Sequence, residues 1–177
     1  MQSRNSAVVA IDKIPQKEDI LDTPLDNLMK VYKMCLDMEN ICIENKGIGL
    51  SAVQIGIPWK LFVVRRTDFF EYFLNCDYAP LVDVNQKHLQ SIEGCLSLPR
   101  PDGSSRQFLV ERYPKVKVIG KRMIVDDSKP KLEDININYD NPNDIYTIVM
   151  QHEIDHNYGA ERLICNIGKE IELTKVK

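Results

Sequence analysis

The sequence predicts an α+β protein with a largely antiparallel sheet. Three observations carry that expectation: a helical apolar stripe near the N-terminus, a second near the C-terminus, and short strand-like segments grouped between them. Strands that follow one another without intervening helices pair as antiparallel neighbours, whereas βαβ units would alternate helix and strand. At 177 residues the chain is expected to be one domain spanning 1–177, long enough to bury a core.

The first helix is expected from Pro24 to about Asn45. Thr23 suits the N-cap and Pro24 the first helical position, while Leu25, Leu28, Met29, Tyr32, Cys35, Leu36 and Cys42 fall on one stripe. The glycines of "KGIGLSAVQIGIP" then break the helix. Strands are expected in "KLFVVRR", "APLVDV", "YPKVKVIGKRMIV" and "ININY", and exposed loops in "LPRPDGSSRQ" and "DDSKPKLED". The second helix is expected from about Pro142 to Tyr158, capped by one of the preceding Asn/Asp cluster and ended by Gly159. The tail "KEIELTKVK" alternates like a strand as much as it suggests a helix.

Bulk properties exclude several function classes. Hydrophobic residues at 44% and charged residues at 28% are ordinary for a globular protein, and a net charge of −3 lacks the basic footprint of direct nucleic-acid binding. No apolar run approaches bilayer length, and the N-terminal "MQSRNSAVVAIDKIPQKEDI" is too weakly apolar for a secretory signal. The expectation is a cytoplasmic monomer that does not bind membranes. The five cysteines, Cys35, Cys42, Cys76, Cys95 and Cys165, show no close pairing, so each is read as a core thiol, a ligand or a nucleophile rather than part of a disulfide framework.

The chemistry concentrates in "MQHEIDHNYG". His152 and His156 are four apart, so on a helix they lie one above the other and reach a single ion. Ile145, Ile148 and Val149 precede them on the same face, which is expected to point inward. Glu153 lies about a hundred degrees round the helix, in the general-base position of the H-E-x-x-H pattern. Two imidazoles leave a third ligand to be found. The extended protease pattern would place it at Arg162, which cannot bind a metal. A glutamate on a further helix would have to be Glu170 or Glu172, with little chain left to build that helix. The upstream candidates are His88, in polar "NQKHLQ" and read as a surface residue, and the cysteines. Cys95 in "IEGCLSLP" stands out, because Gly94 permits close backbone approach and a thiolate with two imidazoles suits zinc or ferrous iron.

Three stretches, taken together, resemble the peptide deformylase family. G-x-G-x-x-A-x-Q is present from Gly47 to Gln54, E-G-C-L-S from Glu93 to Ser97, and Q-H-E-x-D-H from Gln151 to His156. The resemblance implies antiparallel sheets packed around a central metal-binding helix. It implies a hydrolase that removes the formyl group from N-formylmethionine of nascent peptides. Cys95, His152 and His156 would hold one divalent ion, Fe2+ in the usual case, with Zn2+, Ni2+ or Co2+ able to substitute. A water in the open position would be the nucleophile and Glu153 the general base and then acid. Gln54 and the Leu96 backbone amide would stabilise the oxyanion. Gly49 would present its backbone to the peptide, Ile48, Ile145, Ile148 and Val149 would receive the methionine side chain, and Glu93 and Gln151 would orient ligands and loops. The resemblance also raises a ribosome contact. Ser51 replaces the family's usual alanine, and "HNYGAERLICN" departs from the pattern after the third motif. Arg112 resembles a family arginine, and Arg106 or Gln107 are candidates for contact with the peptide backbone.

Overall fold

The structure is a computed structural model that describes residues 8–81, 88–99, 105–159 and 170–171. It contains helix α1 (Leu28–Glu44), strands β1 (Gly49–Ser51), β2 (Leu61–Arg65), β3 (Phe70–Pro80), β4 (Leu89–Pro99), β5 (Ser105–Arg112), β6 (Val116–Asp126) and β7 (Lys129–Tyr139), helix α2 (Ile145–His156) and strand β8 (Glu170–Ile171). Every strand pairing within the two sheets is antiparallel. One sheet runs β1-β2-β3-β6-β7 and the other β4-β5-β8, so the α+β expectation holds.

The five-stranded sheet is covered on both faces, and this explains the continuous apolar run of β2. Leu61 and Val63 point to one face with Leu74 and Tyr72, where they meet Val31, Cys35, Met38 and Cys42 of α1. Phe62 and Val64 point to the other with Phe73, where they meet Val149, Met150 and Ile154 of α2. Alternate side chains leave a strand on opposite faces, so a strand buried on both sides cannot show polar alternation. The rings of Phe62 and Phe73 stack at 5.1 Å on the α2 side. The central helix is thus held against the sheet by Met150 and Ile154, four residues apart and both fully buried.

Several elements differ from expectation. Helix α1 begins at Leu28, where Asn27 accepts a hydrogen bond from the Lys30 amide at 3.0 Å. Thr23 caps nothing, because its hydroxyl donates to the Lys60 carbonyl and its amide to Asn75 Oδ1, tying the chain to the sheet instead. On α1 the stripe is shifted: Val31, Cys35, Met38 and Cys42 are buried, whereas Leu25, Met29 and Leu36 are exposed. The strand assigned to "APLVDV" lies upstream, ending at Pro80, and residues 82–84 fall outside the described residues. "DDSKPKLED" is not a loop. Asp127 and Ser128 form a two-residue turn with φ of 46° and 62°, and the rest is the start of β7. Lys129, Pro130 and Lys131 fit there because β7 is an edge strand among the described residues, with no further strand there to which Pro130 would have to donate. The ends of "LPRPDGSSRQ" belong to β4 and β5, and residues 100–104 fall outside the described residues, as do Cys165 and most of the tail.

Candidate metal centre

The least strand-like segment of the sequence, "LQSIEGCLSLP", forms β4. Its alternation is inverted: Ser91, Glu93, Cys95 and Ser97 point inward and are buried, while Ile92 faces out at 56% exposure. A strand that hides polar groups and exposes an apolar one gains little from burial, so the polar groups have to be satisfied by partners. Those partners are Arg112 on β5, Gln54 in the turn after β1, and His152 and His156 on α2, whose start is fixed by Asp144, which accepts from the Tyr146 amide at 3.0 Å.

One turn of α2 brings His152 and His156 to Cys95. The donor atoms of these three residues all lie within 4.8 Å of one another, and Cys95 Sγ is 3.5 Å from His156 Nε2. A thiol and two imidazoles form a donor set suited to zinc or ferrous iron, and their spacing fits one ion. His152 Nδ1 is 2.9 Å from Glu93 Oε2. With the proton on Nδ1 that carboxylate fixes the ring and leaves Nε2 as the ligating nitrogen. Burial, with the charges of His152 and Arg112, holds His156 well below the usual imidazole range, which keeps a lone pair free. Two of the other cysteines fall elsewhere: Cys35 and Cys42 pack in the core with thiols pushed up to about 12 by burial. His88 lies away from the centre, against Glu111 and the ring of Tyr113.

Behind the histidines lies a charge relay that sequence reasoning only half found. The Arg112 guanidinium donates to both oxygens of Glu93 at 2.8 and 2.7 Å and to Asp155 Oδ2 at 2.6 Å. All three side chains are buried. Burial pushes the Glu93 carboxyl up, but Arg112 and His152 outweigh it and hold the group at about 2. Arg112 was noticed without a role and Asp155 was missed. The only signal for Asp155 is its place inside "HEIDH", three residues after His152 and so flanking it on the helix surface. Gln151 does not touch the histidines; its amide brackets the backbone of Tyr113, accepting from its N–H at 3.0 Å and donating to its carbonyl at 2.9 Å. It locks α2 to the end of β5, beside Arg112.

Glu153 and Gln54 complete the floor. Glu153 is 4% exposed, and its Oε2 has no hydrogen-bond partner among the described residues. Burial pushes its carboxyl up to about 7, against the pull of His152 and Arg112. A Cβ on Gly49 would lie 2.7 Å from Glu153 Cδ and 2.9 Å from Cγ, so the glycine of β1 makes room for this carboxyl. Gln54 sits in the short 3-10 turn Ala52–Ile55. Its Oε1 accepts from the Ser51 amide at 2.9 Å, which turns Nε2 toward Cys95 Sγ at 3.7 Å and Ser97 Oγ at 3.3 Å.

These groups form the floor of a cleft of about 760 Å³ between β1 and β4. Ile48, Gly49, Leu96, Ile145, Ile148 and Val149 all line it, together with Gln107 and the end of α1. The expectation of an inward apolar face on α2 holds for Val149. Ile145 and Ile48, at 49% and 43% exposure, stand at the cleft mouth instead of in the core. Arg106 lies beside the ring of Phe108 and is not part of the cleft lining.

Comparison with known proteins agrees with this arrangement. A family model described as polypeptide deformylase matches residues 11–163. A peptide deformylase of Desulfotalea psychrophila is 31% identical over 171 residues, covering 94% of this chain and 90% of that protein. Among solved structures, the Thermotoga maritima peptide deformylase superposes with a TM-score of 0.63 at 21% identity, covering 92% of this chain and 96% of that one. The Plasmodium falciparum enzyme, solved with an inhibitor, gives 0.59 at 26% identity and covers 90% and 88%. Fold, ligand geometry and a match over most of the sequence converge: the chain belongs to the peptide deformylase family.

Proposed function

We propose that this enzyme hydrolyses the N-formyl group of N-formylmethionyl nascent peptides, with Cys95, His152 and His156 holding one divalent ion. The observation that carries the reading is the meeting of those three donors with Glu153 and Gln54 on one cleft floor. Fe2+ is the ion we assign, with Zn2+, Ni2+ or Co2+ able to replace it. A bound ion would act as a Lewis acid, polarising the formyl carbonyl and making water a nucleophile near neutral pH.

The chain's own groups supply the rest. Glu153 takes the proton of the attacking water on its carboxylate and returns it to the departing amine. Burial pushes this carboxyl up from the usual carboxylate range, which suits a group that takes up a proton and gives it back. Gln54 Nε2 and the Leu96 backbone N–H donate to the oxyanion as the formyl carbon becomes tetrahedral. Gln54 is pre-aimed because the Ser51 amide holds its other end. Glu93 keeps the His152 ring in place, and Arg112 holds Glu93 ionised. Ile48, Ile145, Ile148 and Val149 receive the methionine side chain, and the backbone of Gly49 pairs with the peptide. The substrate class places the enzyme in the cytoplasm, where nascent chains emerge, with a ribosome contact on the way. No helix among the described residues is long and apolar enough to cross a membrane.

The test is anaerobic purification, metal analysis and amine release from formyl-Met-Ala-Ser. One ion per chain with turnover is expected, and Cys95→Ser should lose both. No amine release with iron, nickel or cobalt bound would refute the assignment.

A further inference from the structure

We propose that Lys46 is a specificity determinant at the mouth of the cleft, selecting formyl peptides that carry a carboxylate one or two residues beyond the methionine. The inference rests on the deformylase reading. It starts from the way α1 ends. The Lys46 amide donates to the Ile43 carbonyl at 3.0 Å and the Gly47 amide to the Cys42 carbonyl at 2.8 Å. This pair of bonds places the first residue past the C-cap in the left-handed region, which glycine occupies at no steric cost. Here that residue is Lys46, with φ of 57°.

The adjacent glycine serves a different need. A Cβ on Gly47 would lie 3.0 Å from Cys42 Sγ and 3.2 Å from both the Gly49 carbonyl oxygen and Leu96 Cδ1. Gly47 therefore answers a demand for space, and the left-handed position carries a long cationic side chain despite the backbone penalty. Strain held beside a functional cleft points to a role for that side chain.

The surroundings supply the role. Lys46 is exposed and lines the cleft, and its side chain makes no hydrogen bond or ion pair among the described residues. The other cleft-lining side chains that carry charge are Glu44 on the last turn of α1, and Glu93, His152 and Glu153 on the floor. Glu93 is taken by Arg112 and His152. Lys46 is thus the sole lysine or arginine among the described cleft-lining residues. It stands two residues before Ile48, which the deformylase reading gives to the methionine side chain. The carboxylate it meets is either an acidic side chain or the C-terminus of a short peptide. Glu44 shares the rim and is the charge that competes with this preference.

The experiment uses the metal-loaded enzyme. kcat/KM is measured for formyl-Met-Asp-Ala-amide, formyl-Met-Asn-Ala-amide, and formyl-Met-Ala with a free or amidated C-terminus. Wild type is expected to favour Asp over Asn roughly three- to five-fold at low salt, through KM, with the ratio shrinking at high salt as for an exposed ion pair. The free-acid against amide pair tells whether a terminal carboxylate is read as well. Lys46→Gly should remove the preference with no loss of melting temperature, since glycine suits the backbone. Lys46→Glu should invert the preference, Lys46→Arg should keep it, and Glu44→Gln should enlarge it. Turnover with equal Asp and Asn rates in wild type, or a ratio unmoved in Lys46→Glu, would overturn the proposal. Absence of turnover on every peptide would instead bring down the deformylase reading, and this proposal with it.

Discussion

Replacing Arg112 with methionine removes a buried cation while keeping an unbranched side chain of similar reach. In the native protein the guanidinium is 3% exposed and engages Glu93 at 8% and Asp155 at 0% side-chain exposure. Its loss leaves two buried carboxylates with no cation between them, and breaking a buried pair in this way costs roughly 3–5 kcal/mol. The Glu93 carboxyl gives an independent figure. Its fall from 4.5 to about 2 in the folded protein is worth roughly 3 kcal/mol. At about 2–4 °C per kcal/mol for a chain of this size, the variant should melt on the order of 10 °C lower. Thermal unfolding of the metal-loaded protein at pH 7 measures this. Because the folded value lies below the unfolded one, the stabilisation is fully present above about pH 4.5 and is lost as pH falls toward 2. Without Arg112, burial pushes the Glu93 carboxyl up, so protonation relieves the variant as pH falls, and the gap between wild type and Arg112→Met should be widest at pH 8 and narrow steadily toward acid pH. A triple change, Arg112→Met with Glu93→Gln and Asp155→Asn, should recover part of the loss. A single variant that melts within 2 °C of wild type at pH 7 would refute the reasoning.

Gly49→Ala should push Glu153 off its position and lower kcat at least ten-fold with metal content unchanged, because its Cβ would overlap that side chain; wild-type turnover would contradict the packing described. Gln54→Ala should lower kcat by about a hundred-fold, the usual effect of losing one oxyanion donor, with metal binding and KM little changed. Cys35, Cys42 and Cys76, buried and with thiols pushed up to about 12, should resist alkylation at pH 8 in the folded protein and react once it is unfolded, as read by mass spectrometry.

The candidate donor set is legible in the sequence because its logic is local. His152 and His156 share a helix face at any tertiary arrangement, and Arg162 cannot bind a metal. The chain's own residues thus exclude an extended protease site and leave Cys95 as the candidate third donor. Strand β2 was legible for a similar reason, since four consecutive apolar residues suit a strand buried on both faces. Strand β4 was not. Its polar residues face inward and Ile92 faces outward, the reverse of the pattern by which burial reveals a strand, because β4 carries Glu93 and Cys95 to partners on α2 and β5. The cap of α1 was misplaced because Thr23 is drawn to Lys60 and Asn75, partners 37 and 52 residues away that no local rule foresees. The same holds for Arg112 between Glu93 and Asp155, which are 19 and 43 residues from it along the chain. By itself the sequence determined which atoms can bind a metal and which helix presents two of them. Only the tertiary structure decided which buried charges steady those atoms, because ion pairing depends on distance in space and leaves no period in the chain.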